Sequence, residues 1–222
     1  MERIDHVGMH CAMEYTSFPF YSQLKKYSRA EHSLGVALLI YHFTKSEKMA
    51  LSGLFHDIAT PSFAHVIDFL KGDHEKQEAT EEKTYEIIRK DEVIQTELKK
   101  LSLNSEVVSD YHRYPIADND SPKLSCDRLE YSLGNFFHYG FASLNEVKEM
   151  LNDIKVLKNE EGKEEIGFSS FSLAKKFTLL CLKNSEVYTK DEDRYGMEYL
   201  ARILKKAILR GVLKEEDLYG TE

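Results

Sequence analysis

Along most of this chain apolar residues recur at helical rather than alternating spacing. From Ser28 to Phe43 the run opens with a capping box, Ser28 paired with Glu31 three residues on. Leu34, Ala37, Leu38 and Tyr41 then form a helical stripe, which Val36, Leu39 and Ile40 widen until the helix is apolar nearly all round and therefore expected to be buried. After the polar turn from Lys45 to Lys48, the stretch from Met49 to Phe55 is a second apolar helix that delivers His56-Asp57 at its end. Pro61 breaks the chain, Phe63 to Leu70 resumes helical spacing, and Gly72-Asp73 ends it. His74 to Arg89 predicts a highly charged helix with one solvated face, and Val93 to Leu103 and Glu106 to Tyr111 continue in helical style. Ser121 and Pro122 read as the cap and first residue of a helix carrying Asp127, Leu129, Tyr131, Leu133, Phe136 and Phe137.

A further helix is expected from Leu144 to Ile154, and the stretch near residues 155–168, with Glu161-Gly162 at its turn, reads as a small β-hairpin. Ser172 to Leu182 and Tyr195 to Leu209, apolar on one side, close the bundle. Residues 1–27 show no clear period and read as one or two short helices packed on the body, with His6 and His10 on the surface. There is no repeat, low-complexity tract or linker. The expectation is an all-α helical bundle over 1–222, core motifs in 28–140 and the hairpin and closing helices in 141–222.

Composition narrows the function classes. Hydrophobic residues make up 42% of the 222 and charged residues 31%, an ordinary globular profile. A net charge of −8 with no basic face argues against duplex nucleic acid as partner, and requires any phosphorylated ligand to be met by local positive charge. Cys11, Cys126 and Cys181 form neither a disulfide framework nor a Cys-x-x-Cys site, which fits a reducing cytoplasm. No apolar stretch approaches the ~20 residues a membrane helix needs, and Met1 to Asp5 does not read as a secretory signal.

The chemistry concentrates on His56-Asp57. An imidazole and a carboxylate at the mouth of a buried helix are costly to bury unless a cation pairs with them. His32, on the first turn of its helix three residues after Arg29, and Asp127, four residues before Tyr131, supply further donors. His32, His56, Asp57 and Asp127 together suit one divalent ion (Mn, Fe, Ni, Zn, Co or Mg), with positions left open for water or a phosphate oxygen. The plain alternative is four unrelated polar residues.

Several segments resemble the HD-domain metal-dependent phosphohydrolases, and within them the deoxynucleoside triphosphate triphosphohydrolase branch. These are Arg29-Ala-Glu-His32-Ser-Leu-Gly-Val36; Leu54-Phe55-His56-Asp57-Ile58 followed by Pro61-Ser-Phe-Ala-His65 and Asp68; His74-Glu75; and Asp127-Arg-Leu-Glu-Tyr131. The resemblance implies His32, His56, Asp57 and Asp127 as metal ligands. It further implies Arg29, His65, Tyr131 and Arg128 as substrate contacts, and His74 oriented by Asp68 as the proton-transfer residue. The implied substrate is a nucleotide or other phosphorylated small molecule, most similar to a deoxynucleoside triphosphate, and a homo-oligomer is an open alternative.

Thr60 stands where that branch carries a further histidine, and Ala59 replaces its glycine. His112 leaves open a second ion held by His74 and His112. Competing readings are another activity of the same superfamily (phosphodiesterase, nucleoside monophosphate phosphatase or pyrophosphohydrolase) and a catalytically silent nucleotide sensor.

Overall fold

The computed structural model describes residues 1–72 and 83–220. Two short elements lead the chain, α1 (Glu2–Asp5) and a 3₁₀ turn over Cys11–Tyr15. Helix α2 (Arg29–Thr44) starts where the sequence places it: the Ser28 hydroxyl accepts from the Glu31 amide and the Glu31 carboxylate accepts from the Ser28 amide. The same cap is tied to the N-terminal segment, because the Arg29 amide donates to the Val7 carbonyl and Ser28 Oγ donates to Asp5.

Helix α3 (Glu47–Phe55) folds back on α2, and Gly53 permits the close approach: a Cβ there would lie 2.4 Å from the Ile40 methyl. Helix α4 (Val66–Lys71) follows, then α5 (Thr84–Lys90), α6 (Glu92–Lys100) and α7 (Ser105–Val108). The expected start of α5 at His74 lies outside the described residues. Helix α8 (Cys126–His138) begins four residues later than Pro122 suggests, because Ser125 rather than Ser121 is the cap, its hydroxyl accepting from the Arg128 amide. Ser121-Pro122 is instead a cis peptide in the preceding turn. After α9 (Leu144–Asp153), β1 (Ile154–Lys158) and β2 (Glu164–Phe168) pair antiparallel with Val156 opposite Ile166, the one sheet among the described residues. Helices α10 (Phe171–Tyr188) and α11 (Asp191–Leu209) close the structure.

The largest core cluster joins Val36 and Ile40 of α2 to Leu129, Leu133 and Phe136 of α8, and continues through Met150, Ile154, Ile166 and Phe177. A second joins the N-terminal Val7 and Met13 to α4 and α11 through Val66, Ile67, Met197 and Ala201. The site elements are therefore fixed from both sides. One expectation is corrected: α2 is not buried all round. Val36, Ala37 and Ile40 face inward with Arg29, His32 and Ser33, whereas Leu34, Leu38 and Tyr41 are exposed. An apolar stripe on both sides of a helix leaves the period unable to choose the inner face.

Candidate metal centre

Three helix ends converge. His32 projects from the first turn of α2, His56 and Asp57 follow the last residue of α3, and Asp127 stands in the first turn of α8. Donor atoms of His32, His56 and Asp57 all lie within 4.8 Å of one another, and all three residues are buried. Asp127 Oδ1 is 3.0 Å from His32 Nε2 and 3.7 Å from His56 Nε2, while Asp57 Oδ2 is 3.6 Å from His56 Nε2.

The outer ring nitrogens decide what this cluster can hold. His56 Nδ1 donates to the Gly53 carbonyl at 2.7 Å, and His32 Nδ1 is hydrogen-bonded to the Glu130 carboxylate, which also accepts from the Tyr27 hydroxyl. With Nδ1 carrying the hydrogen, each ring turns its Nε2 lone pair toward the carboxylates. Lone pairs facing carboxylate oxygens in a buried site repel unless a cation lies between them. A proton serves in the metal-free chain: burial would lower His32, but Asp127 and Glu130 outweigh it and push its pKa up to about 10. A divalent ion is the other cation of the right kind, and imidazoles oriented through Nδ1 by a carboxylate or carbonyl are the usual outer support of a metal ligand. The donor set fits the ion expected from the sequence.

Asp57 is held from behind. Arg29 Nη1 donates to both of its oxygens at 3.0 and 2.9 Å, and Thr60 Oγ1 donates to Oδ1 at 2.6 Å. Burial would raise this carboxyl, but Arg29 with His56, His32 and Thr60 holds it well below the ordinary carboxylate range. Arg29, expected as a phosphate contact, thus grips Asp57 through Nη1, while its Nε has no hydrogen-bond partner among the described residues. Thr60, in place of a histidine, becomes part of the ligand's support. Arg3, from α1, donates to the carbonyls of Ile58 and Thr60 and fixes the turn that carries both.

The remaining expected residues are dispersed. His65 lies on the wall of a cavity of about 310 Å³, its Nδ1 2.9 Å from the fully buried Asp68. The expected partner of Asp68, His74, lies outside the described residues; the second carboxylate oxygen of Asp68 has no hydrogen-bond partner among those described. Tyr131 lines the same cavity one turn beyond Asp127, its ring 6.5 Å from that of His32, and burial pushes its hydroxyl up to about 12. Arg128 does not turn toward the cavity. It donates to the Lys123 and Asn119 carbonyls and pairs with Asp118, bracing the loop that leads into α8. His112 is also held by Asp118, at 2.7 Å, and is not part of the metal-spaced cluster among the described residues. His10, expected on the surface, is buried against Glu14 and Tyr139.

Glu130 and Tyr27 were not anticipated, although Glu130 sits inside the Asp127-to-Tyr131 segment. Gly35, in the Arg29-to-Val36 segment, now has a reason. A Cβ there would lie 2.4 Å from the Glu130 carboxylate, so a glycine is what lets that group reach His32 across α2.

Comparison with known proteins agrees with this geometry. The HD domain family matches residues 29–123, a span that includes His32, His56 and Asp57. Residues 29–123 are thus similar to an HD domain. The match ends just before Asp127, whose place beside His32 and His56 is seen in the fold alone. Proteins similar to the chain include an uncharacterized protein YdhJ of Bacillus subtilis, 27% identical over 88% of this chain and 58% of its own length. They also include a metal-dependent phosphohydrolase, cns2, of Cordyceps militaris, 24% identical over 58% of this chain and 36% of its own length. The chain thus spans between about a third and three fifths of the curated relatives it matches. No helix among the described residues is long and apolar enough to cross a membrane.

Proposed function

We propose that this chain is a metal-dependent phosphohydrolase acting on a nucleotide, with a deoxynucleoside triphosphate as its substrate. One observation carries the reading: two imidazole Nε2 atoms and two carboxylates converge where three helix ends meet, and Tyr131, its ring 6.5 Å from that of His32, lines a cavity together with His65. His32, His56, Asp57 and Asp127 would hold the ion. Bound there, a divalent ion supplies a polarised phosphate oxygen and an acidified water.

The chain's own groups divide the remaining work. Glu130 and Gly53 keep the two imidazoles turned inward, and Arg29 with Thr60 keeps Asp57 ionised and immobile. His65, oriented by Asp68, offers a ring edge to a phosphate oxygen at the cavity wall. His74 is the proton-transfer residue that the sequence resemblance supplies. The triphosphate preference rests on the segments Arg29 to Val36 and Asp127 to Tyr131. A second reading, a nucleotide with a single phosphate, is favoured by the engagement of Arg29 with Asp57, which leaves less positive charge for three phosphates.

The test is chromatographic product analysis with Mn²⁺ against deoxynucleoside and ribonucleoside tri- and monophosphates, comparing the native chain with His56→Ala. Triphosphate released by the native chain and lost in the variant supports the first reading, and release of inorganic phosphate from monophosphates supports the second. Equal turnover by His56→Ala would sink the metal assignment.

A further inference from the structure

The segment before α2 touches two ligand-bearing elements of the metal cluster without supplying a ligand itself. Helix α1 has four residues, too few to hold itself together, so it is fixed by what it packs on. Ile4 is fully buried, Asp5 accepts from the Ser28 hydroxyl at 2.9 Å, and the Val7 carbonyl accepts from the Arg29 amide at 2.9 Å. Gly8 and Ser28 form an antiparallel bridge, and the Met9 amide donates to the Tyr27 carbonyl at 2.9 Å. Residues 4–9 are therefore tied to the start of α2, whose first turn carries His32.

From that anchored helix Arg3 reaches across to the element that bears Asp57. Its Nη1 donates to the Thr60 carbonyl at 2.6 Å and its Nη2 to the Ile58 carbonyl at 2.5 Å. These carbonyls lie on the turn that follows Asp57, closed by the Thr60 amide donating to the Asp57 carbonyl at 3.0 Å, and Thr60 Oγ1 returns to the Asp57 carboxylate. Ile58, Ala59 and Thr60 are all buried, so the carbonyls of this turn need a donor from the protein. A guanidinium is a planar fork that serves both at once, whereas an ammonium is a single point. The fork matters here more than the charge. Burial lowers the Arg3 pKa, with attraction to Asp57 the main force opposing it, but Arg29 already neutralises that carboxylate directly. A second cation near Asp57 repels a divalent ion, so any help Arg3 gives to metal binding comes through geometry.

We propose that Arg3 is a positioning residue for Asp57: forked between the Ile58 and Thr60 carbonyls, it holds the turn from which that carboxylate meets a divalent ion, and braces that turn against the helix of His32. The N-terminal segment is then a working part of the metal centre, although it lies outside the stretch 29–123. The proposal rests on the metal assignment and not on the choice of substrate.

The experiment titrates the full chain with Mn²⁺ by calorimetry and records the visible absorption of the Co²⁺-loaded chain, whose bands follow ligand geometry. Arg3→Lys keeps the charge and loses the fork. Arg3→Gln loses the charge as well and is read by the Co²⁺ bands alone; thermal melting of each metal-free chain confirms folding. The expected result is Mn²⁺ affinity about three- to tenfold weaker in Arg3→Lys, the effect of a hydrogen bond lost one step behind a ligand, with shifted Co²⁺ bands in both variants. Native affinity and native bands in a folded Arg3→Lys chain overturn the proposal. A lowered melting temperature with native bands also overturns it, because Arg3 then supports the fold and not the ligand. Absence of divalent-ion binding by the native chain sinks the metal assignment itself, whereas binding that is indifferent to Arg3 sinks only this role.

Discussion

Glu130 does not reach the candidate metal position, yet it decides how His32 meets it. Its carboxylate accepts from His32 Nδ1 and from the Tyr27 hydroxyl, so Glu130→Gln retains an acceptor of the same shape while removing the charge. Glu130→Ala removes both bonds and leaves the largely buried Tyr27 hydroxyl unpaired. Loss of a carboxylate behind a metal-bound histidine typically weakens metal affinity ten- to a hundredfold, about 1.4 to 2.7 kcal/mol. The glutamine variant is expected near the lower figure and the alanine variant near the upper.

Protons add a second signature. Because Asp127 and Glu130, working against burial, push His32 up to about 10, the metal-free chain carries a proton there at pH 8 that an entering ion must displace. Calorimetric Mn²⁺ titration at pH 8 in two buffers of different ionisation enthalpy should therefore count about one released proton from His32 in the native chain and fewer in Glu130→Gln. Native Mn²⁺ affinity and native proton release in a folded Glu130→Ala chain would refute the reasoning.

Other consequences follow from the same contacts. In Gly35→Ala the new Cβ would sit 2.4 Å from Glu130 Oε1 and 2.8 Å from its Cδ, so the carboxylate must swing away from His32. Metal affinity should fall about tenfold, as for loss of the carboxylate's charge, although the substitution lies outside the cluster; titration with unchanged affinity would contradict this. The metal-free chain should also lose stability at high pH. The folded pKa of His32 is raised above its ordinary value near 6.5, so its contribution is complete below about pH 6.5 and is lost as pH rises through about 10. Urea unfolding in a chelator should show this decline in the native chain and a shallower one in His32→Gln; parallel profiles would count against it.

Much of this protein could be read from its sequence alone. Helices declare themselves through local chemistry: the Ser28–Glu31 box starts α2, and the hairpin turns at Gly162 with positive φ. Residue type and motif mark His32, His56, Asp57 and Asp127 as candidate ligands, because a metal ion selects donor types that are rare in buried segments. Other features depend on distant parts of the chain meeting. Helix α2 turns Val36 and Ile40 inward and leaves Leu38 outside, a choice made by α3 and α8 that no period along α2 records. Arg29 resembles a phosphate contact in sequence and also grips Asp57, 28 residues away, while Arg128 braces the loop preceding its own helix. The lining of the cavity by His10, Tyr21 and Asp193 joins the two ends of the chain, where nothing local marks them as neighbours. Local hydrogen bonding and donor chemistry are written in order along the sequence; which charge pairs with which, and which polar atom is left unpaired, is settled only when the helices pack.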